Sequence, residues 1–353
     1  MNIFEIIHLS FTLFLLFIIF GYLFYKNIKN KCIELILHTI YKQHFFKLWP
    51  ISSMAPHLLN VAFPDFSVKY FIMSFPSNQS INIKGNIPNY LNYWAITFYD
   101  KSGSIIKHWN DTDFPDFKYS ITINHYTSFC IIVRYYFKSI NTLNSFNLLP
   151  NDLPLITHNK YIYSLTNSNN IIKNSNSLQK LFYKLYSNIH INYNFNDVYI
   201  HQFFLPNPTA VQCLFPNFDG IYLIALPSFN NVIIIQGIIP HSIGFPHNIR
   251  FIGFMASNLK TTATDSSISF LQLNFSYKLY VSYSVHDAIK YGYNPLTDHI
   301  ILWNTSNLFH VLIYRQIQID HSGLFQLKKA TSNIDGHIIQ HIMKDYYPTI
   351  TCY

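Results

Sequence analysis

Residues 63–88 read FPDFSVKYFIMSFPSNQSINIKGNIP, and residues 215–240 read FPNFDGIYLIALPSFNNVIIIQGIIP. The two stretches align without a gap: Phe63, Tyr70, Ile83, Gly85 and Pro88 recur as Phe215, Tyr222, Ile235, Gly237 and Pro240, each 152 positions later. A repeat of that spacing is too long for a solenoid unit and matches one ordinary domain, so the chain is expected to carry two copies of one fold. The missing gap matters for strands in particular, because a slip of one residue turns the apolar set to the wrong face.

Outward from this repeat, each copy consists of short runs of β-branched and aromatic residues broken by Pro, Gly or Asn. In the first copy the runs are 69–75, 81–84, 94–99 and 129–137, and a turn signal at 100–103 joins the third run to Ile105 and Ile106 as a hairpin. In the second they are 220–226, 232–236, 250–256, 278–284 and 308–316. The predicted fold class is mainly β: tandem duplicated β-sandwich domains, jelly-roll-like, with an N-terminal transmembrane helix and a few short helices. A polar, low-complexity stretch within 159–177, containing TNSNNIIKNSNS, reads as a linker, and apolar spacing predicts helices over 178–189 and 334–346. The expected organisation is therefore an anchor with a basic flank at 1–31, an amphipathic connector at 32–50 and a first β domain at 51–158. A polar linker and helix at 159–212 and a second β domain with a C-terminal helix at 213–353 follow.

The stretch from Ile6 to Tyr25 holds no Asp, Glu, Lys or Arg over 20 residues. At about 1.5 Å per residue, that spans the roughly 30 Å hydrocarbon layer of a bilayer. A cleaved signal peptide is the rival reading, but a basic n-region is missing and Tyr22 to Tyr25 offer no small-residue cleavage site. Lys26, Lys29 and Lys31 follow the stretch while Glu5 alone precedes it, which points the bulk of the chain toward the cytosol as a single-pass membrane protein. N-glycosylation triplets at Asn78, Asn110, Asn274 and Asn304 oppose that orientation, although a chain this rich in Asn and Ser produces them by chance. Residues 33–48 read as a helix with one apolar face, lying at the membrane surface or packed on the first domain.

With 50% hydrophobic and 18% aromatic residues in 353, disorder is excluded for most of the chain. The net charge of +8 rests on only 11% charged residues with no Lys or Arg stripe, so nucleic acid is not an expected partner; the membrane and other proteins are. Cys32, Cys130, Cys213 and Cys352 are dispersed and show neither zinc-site nor disulfide spacing. Cys32 lies where palmitoylation is chemically reasonable. The excess of Asn, Ile, Tyr, Phe and Lys fits a very AT-rich genome, such as that of a giant virus, a protist or an AT-rich bacterium.

In the second copy Asn217, Asp219 and Tyr222 form a box ahead of a strand, followed by Gly237 and Pro240 in a turn and by Arg250 and Phe251 in a third element. The first copy has Tyr70, Gly85, Pro88, Tyr93 and Trp94 at these stages but Asp65 and Ser67 where the box has Asn and Asp. This resembles the two-module β-rich proteins of unassigned function, bacterial and giant-viral, whose modules begin with an Asn-x-Asp-x-x-Tyr box and reach an Arg-Tyr-Trp strand. The resemblance covers roughly residues 60–137 and 213–317. It implies a fold and leaves activity open.

Candidate chemistry is sparse. There is no HExxH, GxSxG, P-loop or dinucleotide fingerprint, and His337 and His341, though at helical spacing, lack a catalytic Glu. No catalytic residue, metal ligand or cofactor is assigned. The candidate ligand-binding residues are Trp109, Asp111 and Asp113, where HWNDTDFPDF suits a cation or sugar hydroxyls on an indole, together with Asn217, Asp219, Tyr222 and Arg250. Turn-forming aspartates explain the first group equally well. Asp219 has two readings: buried, it holds a loop; exposed in a cleft, it serves as an acid or base. Tyr222 is expected on the side of its strand opposite Gly220. The expected function is a membrane-anchored structural or interaction protein, a viral membrane or virion component; the alternative is a membrane-tethered enzyme or carbohydrate-binding protein with a cleft between the two β domains.

Overall fold

The computed structural model describes residues 49–51, 65–75, 79–100, 105–125, 129–144, 154–158, 161–163, 202–205, 217–226, 232–244, 246–258, 264–304, 310–320, 322, 327 and 334–353. The chain is mainly β, with four sheets and few short helices. The strands of the first half are β1 (Trp49–Ile51), β2 (Val68–Phe75), β3 (Gln79–Asn86), β4 (Leu91–Asp100), β5 (Ile105–Asn110), β6 (Lys118–His125), β7 (Phe129–Phe137), β8 (Leu155–His158) and β9 (Tyr161–Tyr163). Those of the second half are β10 (Gly220–Ala225), β11 (Val232–Ile238), β12 (Ile249–Asn258), β13 (Thr264–Ser269), β14 (Ser276–Ser282), β15 (His299–Leu302), β16 (His310–Gln318) and β17 (Thr349–Cys352). Helices α1 (Ile140–Asn144), α2 (Val285–Lys290) and α3 (Gly336–Met343) connect them.

The first half forms sheets β1-β2-β7-β4-β5 and β6-β3-β8-β9; the second forms β10-β16-β12-β13 and β15-β14-β11-β17. The run β2-β7-β4-β5 has the same order as β10-β16-β12-β13, and β6-β3-β8 the same as β14-β11-β17. Register agrees as well. Tyr70 lies opposite Arg134 and Tyr222 opposite Arg315, while Gly85 lies opposite Tyr119 and Gly237 opposite Tyr277. In both halves the tyrosine ring crosses the glycine so closely that a Cβ there would overlap the phenol.

In each half the two sheets enclose their own core. Phe71, Ile83, Trp94, Ile121, Val133 and Tyr135 belong to the first core; Ile221, Ile235, Phe254, Leu279, Leu312 and Tyr314 belong to the second. Strands bury alternate residues on one face, and the other face of an ordinary sandwich sheet meets water. Here β4 is buried on both faces from Leu91 to Tyr99, and β12 from Arg250 to Ser257. The reason is that the β4 and β12 sheets turn their second faces toward each other: Tyr136 of β7 meets Phe251 of β12 edge-on at 4.8 Å.

Two parts of the expected organisation change. Tyr161–Tyr163, within the stretch read as linker, pairs with β8, and Phe203, Phe204 and Leu205 are buried, the last two bridging to Ile224 and Ile334. Short apolar runs inside polar surroundings are averaged away when composition is read over a long window. Trp49–Ile51, at the end of the connector, pairs with β2. Strands β6, β13 and β17 are rich in Ser, Thr, Asn or Lys, and β8 and β15 are only four residues long, so none of them stands out by periodicity. The C-terminal helix is present as α3, capped by Asp335 and followed by a 3-10 turn at Lys344–Tyr346. Among the described residues no helix is long and apolar enough to cross a membrane. The stretch from Ile6 to Tyr25, the 33–48 and 178–189 helices, Cys32 and Cys213 lie outside the described residues.

Candidate functional site

The polar residues of the second box converge in the seam between the halves. A tight turn at 217–219 starts β10, closed by Gly220 N–H donating to the Asn217 carbonyl at 3.1 Å. Asn217 Oδ1 accepts from the Asp219 N–H at 3.3 Å, a side-chain-closed turn that aims the Asp219 carboxylate at the first half. There Asp219 Oδ2 accepts from Tyr93 Oη at 2.7 Å, from Asn110 Nδ2 at 2.9 Å and from His108 Nε2 at 2.9 Å. A carboxylate only accepts, so His108 carries its proton on Nε2, and Nδ1 takes the Thr97 hydroxyl at 2.8 Å. Asp219 is wholly buried and so is not exposed in a cleft; its Oδ2 contacts reach side chains of the opposite half, and it is Asn217 whose side chain accepts from the turn backbone.

The first half reciprocates. Asp65 stands at the place of Asn217, and its Oδ1 accepts from the Ser67 N–H at 2.9 Å and from Ser267 Oγ of β13 at 3.4 Å. Burial pushes the Asp65 carboxyl above its ordinary range despite the Arg315 guanidinium nearby. Arg315 Nη1 donates to Tyr70 Oη at 2.7 Å across the seam, and Arg134 donates to Tyr99 Oη at 2.7 Å and Thr97 Oγ1 at 3.1 Å. The Tyr222 ring lies beneath the Arg315 guanidinium at 5.0 Å. It shares a face with Gly220, where a Cβ would meet its ring at 2.9–3.0 Å, contrary to the expected opposite side; residues two apart on a strand point the same way.

Arg250 sits in a β-bulge at the start of β12, as Asn92 does in β4. Bulges re-aim side chains. Arg250 Nη1 thereby reaches Asp111 Oδ2 and the Asn92 carbonyl, both at 3.0 Å. Burial raises the Asp111 carboxyl and lowers the Arg250 guanidinium from their ordinary values, so desolvation outweighs the attraction within the pair.

The HWNDTDFPDF stretch does not form one site. Asp111 enters the seam; Asp113 is exposed and caps the 3-10 turn Asp111–Asp113 by accepting from the Asn110 N–H at 2.8 Å; Trp109 packs on Phe98 at 5.5 Å on the other side of β5. Asn110 is buried and bonded to Asp219, so that glycosylation triplet cannot be modified in the folded chain, whereas Asn274 and Asn304 are exposed. His337 and His341 are exposed on α3, and His241 stacks on Phe275 at 4.1 Å. Sequence reasoning missed His108, Arg134 and Arg315, and named Asp65 and Tyr93 as positions of the repeated motif without assigning them to a site. A usable signal existed for the arginines: each interrupts an apolar strand, in CIIVRYYF and VLIYRQI.

Thr97, His108 and Asp219 line up like a nucleophile, a base and an orienting acid. Thr97 is wholly buried and its hydroxyl oxygen accepts a hydrogen bond from Arg134 Nη1, so no substrate carbonyl can approach it. A small cavity of about 90 Å³ borders Asp111, lined also by Ile87, Leu91, Trp94, Phe117 and Lys138. Among the described residues no three His, Cys, Asp or Glu side chains are grouped to hold a metal.

No family model and no curated protein matches the chain. Among solved structures, an uncharacterized protein from Burkholderia cenocepacia is similar in fold, with a TM-score of 0.51 at 10% identity over 91% of this chain and 87% of its own. The VPA0106 protein from Vibrio parahaemolyticus aligns over 92% of this chain and 96% of its own at 7% identity and a TM-score of 0.45. At 10% identity the likeness to the Burkholderia cenocepacia protein concerns fold alone.

Proposed function

We propose that this chain is a membrane-anchored structural or interaction protein: a transmembrane helix from Ile6 to Tyr25, then two duplicated, jelly-roll-like β-sandwich domains held as one body on the cytosolic side. One observation carries the reading. The acid that looks most like a reactive group, Asp219, is wholly buried and receives three donors from the opposite half, so it joins domains and meets no ligand. The same reading includes membership of the two-module β-rich family and a place in a giant-viral membrane or virion, on the strength of the box motifs and the AT-rich composition. Alkaline carbonate extraction of membranes tests it. The full chain should stay in the pellet and a version lacking residues 2–25 should be released; release of the full chain overturns the anchor.

The alternative, a carbohydrate-binding protein, would have to use the small cavity that borders Asp111, Trp94 and Lys138. At about 90 Å³ it has the volume of roughly three waters, less than a sugar ring occupies. Calorimetric titration with monosaccharides that gave saturable heat, lost in Asp111→Asn, would move the assignment to this reading.

A further inference from the structure

The two halves meet through equivalent faces, yet the groups on those faces are not equivalent. Where the second half has Asp219, the first has Ser67; where the first has Tyr93, His108 and Asn110 to receive that acid, the second has Phe251, Ser267 and Ser269. Likewise Arg250 stands at the bulge that holds Asn92 in the first half, and its partner Asp111 stands where the second half has Phe270. Pairing two second halves would bury Asp219 against Phe251 and two serines and Arg250 against Phe270. Pairing two first halves would leave Asp111 facing Asn92. Removing one partner from a buried charge is strongly unfavourable, so both like-with-like arrangements are disfavoured and only the mixed one gives both Asp219 and Arg250 their partners.

We propose that each seam face is a docking surface keyed to the complementary half, and that a second copy of this chain can supply that half, giving a dimer with exchanged halves. Asp219 and Arg250 are the specificity determinants. The 38 residues from 164 to 201 separate the last described strand of the first half from the first described residue of the second. Fully extended, they reach roughly 120 Å, enough to place a second half on a neighbouring chain. Each half brings its own core to the exchange, so only the seam is broken and remade. Within one chain the linked half has a high effective concentration, so the monomer dominates when dilute and exchange grows with concentration.

Complementation between two full-length variants tests the proposal. In Asp111→Arg the chain opposes two arginines, and in Arg250→Asp it opposes two carboxylic acids. In an exchanged heterodimer Arg at 111 from one chain meets Asp at 250 from the other, while the native Asp111 and Arg250 meet in the second seam. Each variant alone should melt roughly 10 °C below the parent and stay monomeric. Co-refolded, the two should give a dimer by light scattering with most of that loss restored. No dimer from the mixture, while the doubly substituted single chain regains its melting temperature, would overturn docking in trans; unaltered melting of both single variants would overturn the keying. Parent chains carrying donor or acceptor dyes, refolded together at rising concentration, provide a check that needs no substitution. Energy transfer should rise with concentration, and its absence up to the solubility limit also overturns the proposal.

Discussion

Tyr93 Oη and Asp219 Oδ2 lie 2.7 Å apart across the seam, closer than His108 Nε2 and Asn110 Nδ2 at 2.9 Å. A buried acceptor serving several donors is costly to delete, because each donor is left desolvated without a partner. Asp219→Ala is expected to destabilise the chain by about 3–5 kcal/mol, read from urea midpoints, with Tyr93→Phe costing only about 1 kcal/mol. An Asp219→Ala midpoint equal to the parent's would mean that the seam contributes nothing to stability.

Asp65 should tolerate amidation. Asn217 makes the equivalent turn with an amide, and Asp65 Oδ2 has no hydrogen-bond partner while Oδ1 has two. Burial raises the folded carboxyl above 3.8, so its favourable contribution is complete below that pH and is lost as pH rises through the folded value. Asp65→Asn removes this loss. Melting curves from pH 4 to 7 should fall less steeply for the variant, and a larger deficit at pH 7 than at pH 4 would contradict the argument.

Gly85 and Gly237 cannot accept a side chain while Tyr119 and Tyr277 lie across them. Gly85→Ala should cost about 1–3 kcal/mol through overpacking. Tyr119 Oη is buried with no partner, so Tyr119→Phe should be close to neutral alone and should recover part of the loss in the double variant. A double-mutant cycle with no coupling would show that the ring moves aside.

His310 stacks on Trp303 at 4.1 Å, and burial lowers its imidazole below 6.5. A depressed value means that its contribution is present above 6.5 and is lost as pH falls through the folded value. His310→Gln should narrow the gap in melting temperature between pH 7.5 and pH 5. An unchanged gap would locate the acid sensitivity elsewhere.

The repeat made much of the fold legible. Gly85 and Gly237 recur because the same ring must cross the same backbone in each half, a local constraint that sequence records directly. Strands such as Phe129–Phe137 were readable because a run of β-branched and aromatic residues admits few alternatives. Strand β13, TDSSIS, was not, since its identity comes from pairing with β12 and not from its own residues.

The sequence by itself determined that there are two related β-rich halves, that an apolar stretch precedes them, and that Asn217 and Asp219 stand just ahead of the strand that carries Tyr222. Only the tertiary structure decided what those polar residues do. The partners of Asp219 lie 109 to 126 positions away in the chain, and those of Arg250 up to 158. Pairing between a box in one half and strands in the other leaves no periodic trace. Hydrophobic alternation reports that a face is buried, whereas the identity of what covers it depends on how two finished halves meet.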